Sequence, residues 1–109
     1  MVELMDADYY QQQAARTAGQ HDMPIYTALG LGGEAGEVLE FTKKWLYHDH
    51  PYDEAKIFKE LGDVAWYLSQ CARAHGFKLS EVMQGNLDKL TERYPEGFSS
   101  ERSINRKAE

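Results

Sequence analysis

The sequence predicts an all-α protein, a bundle of four helices, from three observations. Apolar residues recur at spacings of three and four along most of the chain. No stretch alternates with period two long enough to form a strand. Each helical run is bounded by capping residues, glycine or proline. At 109 residues the chain has the length of one domain, with no internal repeat and no composition shift to mark a boundary. A domain this short buries only part of its apolar surface alone, so self-association is expected.

The first helix spans about 6–18, with Asp6 or Asp8 as cap, Tyr10, Ala14 and Thr17 on one stripe, and Gly19 as the stop. His21, Asp22, Met23 and Pro24 then form a turn that sets proline at a first helical position, opening a helix to about Tyr47. Its Gly30, Gly32, Gly33 and Gly36 each cost about 1 kcal/mol against alanine. The helix is retained because Val38, Phe41 and Trp45 keep helical spacing, and because glycines let a backbone or ligand come close. After a polar loop over 48–53, Ile57, Leu61, Val64, Ala65, Leu68 and Ala72 mark a third helix and its core face, ending near His75 and Gly76. Ser80 with Glu81 opens a fourth, which carries Val82, Met83, Leu87, Leu90 and Tyr94 and closes at Pro95. The tail over 96–109 is polar, with Arg102, Arg106 and Lys107, and reads as a mobile end or an arm folding onto a neighbour.

A net charge of −6 argues against a partner such as DNA or RNA, whose phosphates call for basic patches. Single nucleotides stay within reach if a metal supplies the positive charge. Cys71 is alone, so no intramolecular disulfide forms, and the first residues lack the basic and apolar segments of a signal peptide. Both features point to the cytoplasm. No apolar run approaches the roughly 18 residues that span a bilayer, so no membrane association is expected.

The chemistry is carried by two pairs of acids with the same spacing, Glu34 with Glu37 and Glu60 with Asp63, on consecutive helices. A spacing of three puts both members of a pair on one helix face. If the second and third helices pack antiparallel, four carboxylates converge and repel one another unless a cation sits between them. Hard oxygen ligands suit magnesium, with manganese as a substitute. Glu60 and Asp63 also lie beside Leu61, Val64, Ala65 and Leu68, where an unpaired carboxylate is costly. On the fourth helix Asn86, Lys89 and Arg93 share a stripe, and two cations with an amide suit phosphate oxygens and a sugar or base edge.

Three other patterns are set aside. Gly30, Gly32 and Ala35 match a loose dinucleotide-binding pattern, but no strand precedes them and Glu34, Glu37 and Glu40 repel a pyrophosphate. His48 and His50 flank Asp49 without a partner at a recognised zinc spacing. Cys71 sits in an apolar pattern with no clear base nearby, so it reads as packing rather than as a nucleophile. Trp45, Trp66 and Tyr67 read as core, although Tyr67, one turn past Asp63, is within reach of the acids.

The acid pairs stand in "GGEAGEVLEF" and "KELGDVAWYL", an E-x-x-E followed by an E-x-x-D. In this, in "NLDKLTERYPEGF" and in "YYQQQAARTA", the sequence resembles the MazG-like nucleotide pyrophosphohydrolases over roughly residues 9–106. The resemblance implies an all-α MazG-like bundle, assembled as a homodimer or as a homotetramer that is a dimer of dimers, with neighbouring subunits completing each pocket. It implies that Glu34, Glu37, Glu60 and Asp63 hold one or more magnesium ions on a nucleoside triphosphate. The products would be the monophosphate and pyrophosphate. Glu37 is assigned the orienting of the attacking water, because its companion in the pair can hold the metal alone. Asn86, Lys89 and Arg93 match nucleotide-contacting positions, Lys89 or Arg93 stabilising charge on the leaving oxygens. The resemblance implies a bacterial cytoplasm, or that of a phage-infected host.

Base and sugar choice stay open, with Tyr10, Gln11, Thr17 and Asn86 as candidate contacts. Two further readings stay open as well. One is hydrolysis of a signalling nucleotide such as a hyperphosphorylated guanosine. The other is a non-catalytic helical assembly in which the acids pair with Lys43, Lys44 and Lys56.

Overall fold

The computed structural model describes residues 5–21 and 23–106. Residues 1–4, Asp22 of the expected turn, and Lys107 with the last residues of the tail lie outside them. The described residues hold five helices: α1 (Ala7–Ala15), α2 (Met23–Tyr47), α3 (Glu54–Ala74), α4 (Leu79–Arg93) and α5 (Ser100–Ile104). The all-α expectation holds, and the glycines of α2 do not interrupt it.

The helix ends follow local chemistry. The Asp6 carboxylate accepts from the backbone N–H of Asp8 at 2.8 Å and of Tyr9 at 3.1 Å, opening α1. This helix closes earlier than expected, at Ala15. Its last turn tightens through bonds from Arg16 N to Gln13 O and from Thr17 N to Ala14 O, and Gly19 follows at φ +70°. The third helix starts earlier than its apolar pattern, at Glu54, because Asp53 caps it by accepting from Lys56 N at 3.1 Å. Its end is a Schellman motif: Gly76 takes φ +84°, and Phe77 N donates to Ala72 O at 2.9 Å. The tail also differs from expectation. Ser99 accepts from Arg102 N at 3.3 Å and caps α5, a helix too short to show an apolar period.

The chain divides into two compact units, Met1–Leu79 and Ser80–Glu109. In the first, α1 and α2 both pack on α3. Tyr26 and Gly30 of α2 meet Tyr67 of α3, Glu34 meets Asp63, and further along Phe41 meets Tyr52 just ahead of α3. The contacts run in opposite chain order, so α2 and α3 are antiparallel. In the second unit, the Tyr94 and Phe98 rings pack at 5.3 Å across a turn in which Gly97 takes φ +94°.

The core is small and differs from the pattern-based one. Phe41, Ala72, Ala18 and Leu79 are buried, whereas Leu61 is 54% and Leu68 41% exposed. Trp45, expected in the core, is 42% exposed beside Tyr52. Apolar spacing marks a face but does not by itself bury it in a chain this short. Much of the interior is polar instead: Thr27, Ser69 and Gln70 are fully buried and Gln11 nearly so. Gln11 ties three segments together. Its Nε2 donates to Ser69 O and Phe77 O, each at 3.0 Å, and its Oε1 accepts from Leu79 N at 3.1 Å.

Replacing Gln11 with alanine strands those backbone groups in a largely dry interior. Gln11→Ala should lower unfolding stability by about 2–4 kcal/mol in urea titrations monitored by circular dichroism. A loss under about 0.5 kcal/mol, the range of an ordinary surface change, would contradict this role.

Candidate active site

Helix α2 carries Glu34 and Glu37 and helix α3 carries Glu60 and Asp63, so the antiparallel packing decides which acids meet. Glu34, Glu60 and Asp63 each present a carboxylate oxygen, all within 4.8 Å of one another. Glu34 and Glu60 are half-buried and Asp63 is exposed. Glu37 is exposed and stands outside this trio, yet its charge still acts on Glu34. Burial pushes the Glu34 carboxyl above the usual carboxylate range, and repulsion from Asp63, Glu60 and Glu37 adds to the shift. Three carboxylate oxygens gathered this closely form a donor set of the type that hard divalent cations take.

Two of the lysines that a structural salt-bridge role would draw on are engaged away from this trio. Lys43 and Lys44 pair instead with Glu40, at 3.0 and 3.6 Å. Those contacts hold the Glu40 carboxyl below its ordinary range, chiefly through the Lys43 hydrogen bond.

Beside the acids lies a cavity of about 320 Å³ lined by Thr17, Tyr26, Glu34, Asp63, Trp66 and Tyr67. Its far wall is aromatic and held by polar contacts. Trp66 Nε1 donates to Thr17 Oγ1 at 2.9 Å, and Thr17 Oγ1 donates to Ala14 O at 2.8 Å. The Tyr67 hydroxyl lies 3.5 Å from that of Tyr26, and His21 stacks on Tyr26 with ring centroids 4.3 Å apart. The Tyr26 contact raises the Tyr67 phenol, with burial and the Glu34 and Asp63 charges acting in the same direction. Burial and the Asp63 charge likewise raise Tyr10. Both phenols therefore stay protonated donors.

Of the residues singled out from sequence, Thr17, Glu34, Asp63 and Tyr67 line the cavity, and Glu60 joins Glu34 and Asp63. Asn86, Lys89 and Arg93 keep their common stripe on α4, in the second unit, where Arg93 is half-buried and the other two exposed. Sequence reasoning did not find Tyr26, His21 or Trp66 as site residues. Tyr26 sits two turns before Glu34 on the same helix, a signal that the spacing offered. The stacking of His21 from outside the helix had no such signal. His48, Asp49 and His50 are exposed, and Asp49 takes φ 59° as the chain leaves α2, with His50 N donating to Lys44 O at 3.1 Å.

A family model described as the MazG nucleotide pyrophosphohydrolase domain matches residues 24–98. The chain is also similar to the Gene 37 protein of Mycobacterium phage L5. The two are 37% identical over an alignment of 105 residues, gaps included, which covers 85% of this chain and 92% of that protein. No solved structure matches the chain significantly. Among the described residues, no helix is long and apolar enough to cross a membrane.

The electrostatics of Glu34 fix a sign. Because the folded carboxyl lies above its unfolded value, charging it costs stability. That cost is absent below the unfolded pKa and fully present above the folded one. A divalent cation held by the trio would offset it, and at about 100 times its Kd would add about 2.7 kcal/mol, or roughly 10 °C in Tm. The cation-induced rise in Tm should therefore be large near neutral pH and shrink as pH falls into the carboxylate range. It should vanish in Glu34→Gln. Differential scanning calorimetry checks both, and an equal rise in wild type and variant would refute the assignment.

Proposed function

Because the chain belongs to the MazG nucleotide pyrophosphohydrolase family, we propose that it hydrolyses nucleoside or deoxynucleoside triphosphates to the monophosphate and pyrophosphate. The observation that carries this reading is the trio of carboxylate oxygens beside an aromatic cavity. Glu34, Glu60 and Asp63 would hold a divalent cation, magnesium in this reading with manganese as a substitute, and Glu37 completes the acid set. When bound, such a cation neutralises phosphate charge and lowers the pKa of water. The protein's own residues do the rest. Glu37, exposed beside the trio, accepts a hydrogen bond from the attacking water and orients it. Tyr67 presents its ring and a protonated hydroxyl to the nucleotide. The stripe Asn86, Lys89 and Arg93 on α4 carries groups suited to a nucleotide, its two cations to the charge of phosphate oxygens.

The family match crosses the boundary between the two units, which supports reading residues 1–109 as one functional domain. Self-association as a homodimer or homotetramer is part of the proposal. Leu29, Leu39 and Phe58, exposed by 73%, 72% and 78%, are the apolar surface a second copy would cover. The similarity to a phage protein supports a bacterial or phage-infected cytoplasm as this chain's setting. Control or cleansing of the nucleotide pool follows as the role. A helical assembly without catalysis is less well supported, since Lys43 and Lys44 are engaged by Glu40.

Incubation with each ribo- and deoxynucleoside triphosphate plus magnesium, with products separated by ion exchange, should yield monophosphate and pyrophosphate. Asp63→Asn and Glu60→Gln should lower turnover by more than about a hundredfold, since losing even an outer partner of a metal ligand costs 10- to 100-fold. Circular dichroism should show the helices intact. No turnover of any triphosphate by the folded wild type would overturn the proposal, and cleavage of a hyperphosphorylated guanosine instead would move the activity to signalling nucleotides.

A further inference from the structure

Gly30 stands apart among the glycines of α2. At Gly32, Gly33 and Gly36 an added Cβ would meet nothing within 4 Å, so those positions have room for a side chain. At Gly30 the same Cβ would overlap the edge of the Tyr67 ring, closer than 3.0 Å to its Cε1, Cδ1 and Cζ. The ring edge therefore rests on the bare backbone of α2. No rotation of an alanine methyl relieves the conflict, so the ring or the helix must move.

The position matters because of what lies one helical turn away. Gly30 and Glu34 are four residues apart on α2, and Tyr67 and Asp63 are four apart on α3, so the Gly30–Tyr67 layer stacks directly on the Glu34–Asp63 layer. Tyr67 also leans on Tyr26, with ring centroids 5.9 Å apart, and on Trp66 at 4.9 Å. All three rings line the cavity beside the acids. A ring held away from α2 by a methyl group would enter that space.

We propose that Gly30 is a positioning residue for nucleotide recognition: its missing side chain is the seat that holds the Tyr67 ring back against α2 and keeps the cavity beside Glu34 and Asp63 open. The inference rests on the reading of that cavity as the nucleotide site. Gly30 touches no substrate and acts through Tyr67. Its effect therefore falls on binding of the nucleotide more than on the chemical step.

The test uses the full chain with Gly30→Ala, Tyr67→Ala and the double variant. Carbon-13-labelled tyrosine NMR should show the Tyr67 and Tyr26 ring signals shifted in Gly30→Ala. The KM for the cleaved triphosphate should rise about tenfold, within the range expected for one misplaced aromatic contact to a base, while kcat changes about twofold or less. In the Tyr67→Ala background the same glycine change should leave KM where it was. Unshifted tyrosine signals with wild-type KM would overturn the proposal, as would an equal KM penalty in both backgrounds. If Gly30→Ala does not fold, the double variant decides: recovery of the fold supports the seat, and continued unfolding contradicts it. If the wild type cleaves no triphosphate, the nucleotide reading fails, while the NMR comparison still tests the seat itself.

Discussion

Three carboxylates from two antiparallel helices are held close enough to repel, and much of the molecule can be understood from that constraint. Unit charges 4.8 Å apart oppose each other by about 1 kcal/mol in water, and by several times that where protein excludes the solvent. Helices free to slide would separate the acids. The packing of α2 on α3 must therefore oppose a local force with contacts made elsewhere, and burial of Phe41 and Thr27 on α2 and of Ala72 on α3 lies along that same pair. A cation held by the trio would relieve that repulsion and so couple the proposed chemistry to the stability of the fold.

The rest of the first unit positions this pair. Gln11 fastens α1 to the end of α3 and to the chain leading into α4, and Gln70 Nε2 returns the bond by donating to Gln11 O at 3.1 Å. Directional bonds of this kind fix a register that a small apolar core leaves loose. Thr17, at the end of α1, holds Trp66 at the cavity wall, so the same helix that braces α3 also shapes the space beside the acids. The Gly30 seat lets α2 and the Tyr67 ring approach closely one turn from Glu34.

What the sequence made legible followed from short-range rules. Carboxylates at i and i+3 share a face in any helix, so each acid pair could be placed before the packing was known. Gly76, the Asp6 cap and Ser80 in the first turn of α4 marked helix ends within a few residues. The helix at 100–104 was hidden because five residues cannot display a period, and its Ser99 cap lay in a run of polar residues. Which apolar residues are buried was also misjudged. Leu61 and Leu68 have the spacing of a core face, but spacing does not say whether one chain supplies enough layers to cover it. The roles of His21, Trp66 and Gly30 depend on contacts across helices, and nothing in their local sequence distinguishes them. Gly30 reads like its neighbours Gly32 and Gly33 until the opposing ring is in place.

Anomalous diffraction from crystals grown with manganese and a non-hydrolysable triphosphate analogue tests the central claim most directly, because it locates the cation rather than its consequences. An anomalous peak should lie bonded to carboxylate oxygens of Glu34, Glu60 and Asp63, with the phosphate chain reaching the same ion. A peak held elsewhere, or none at these acids with the analogue bound, would contradict that claim.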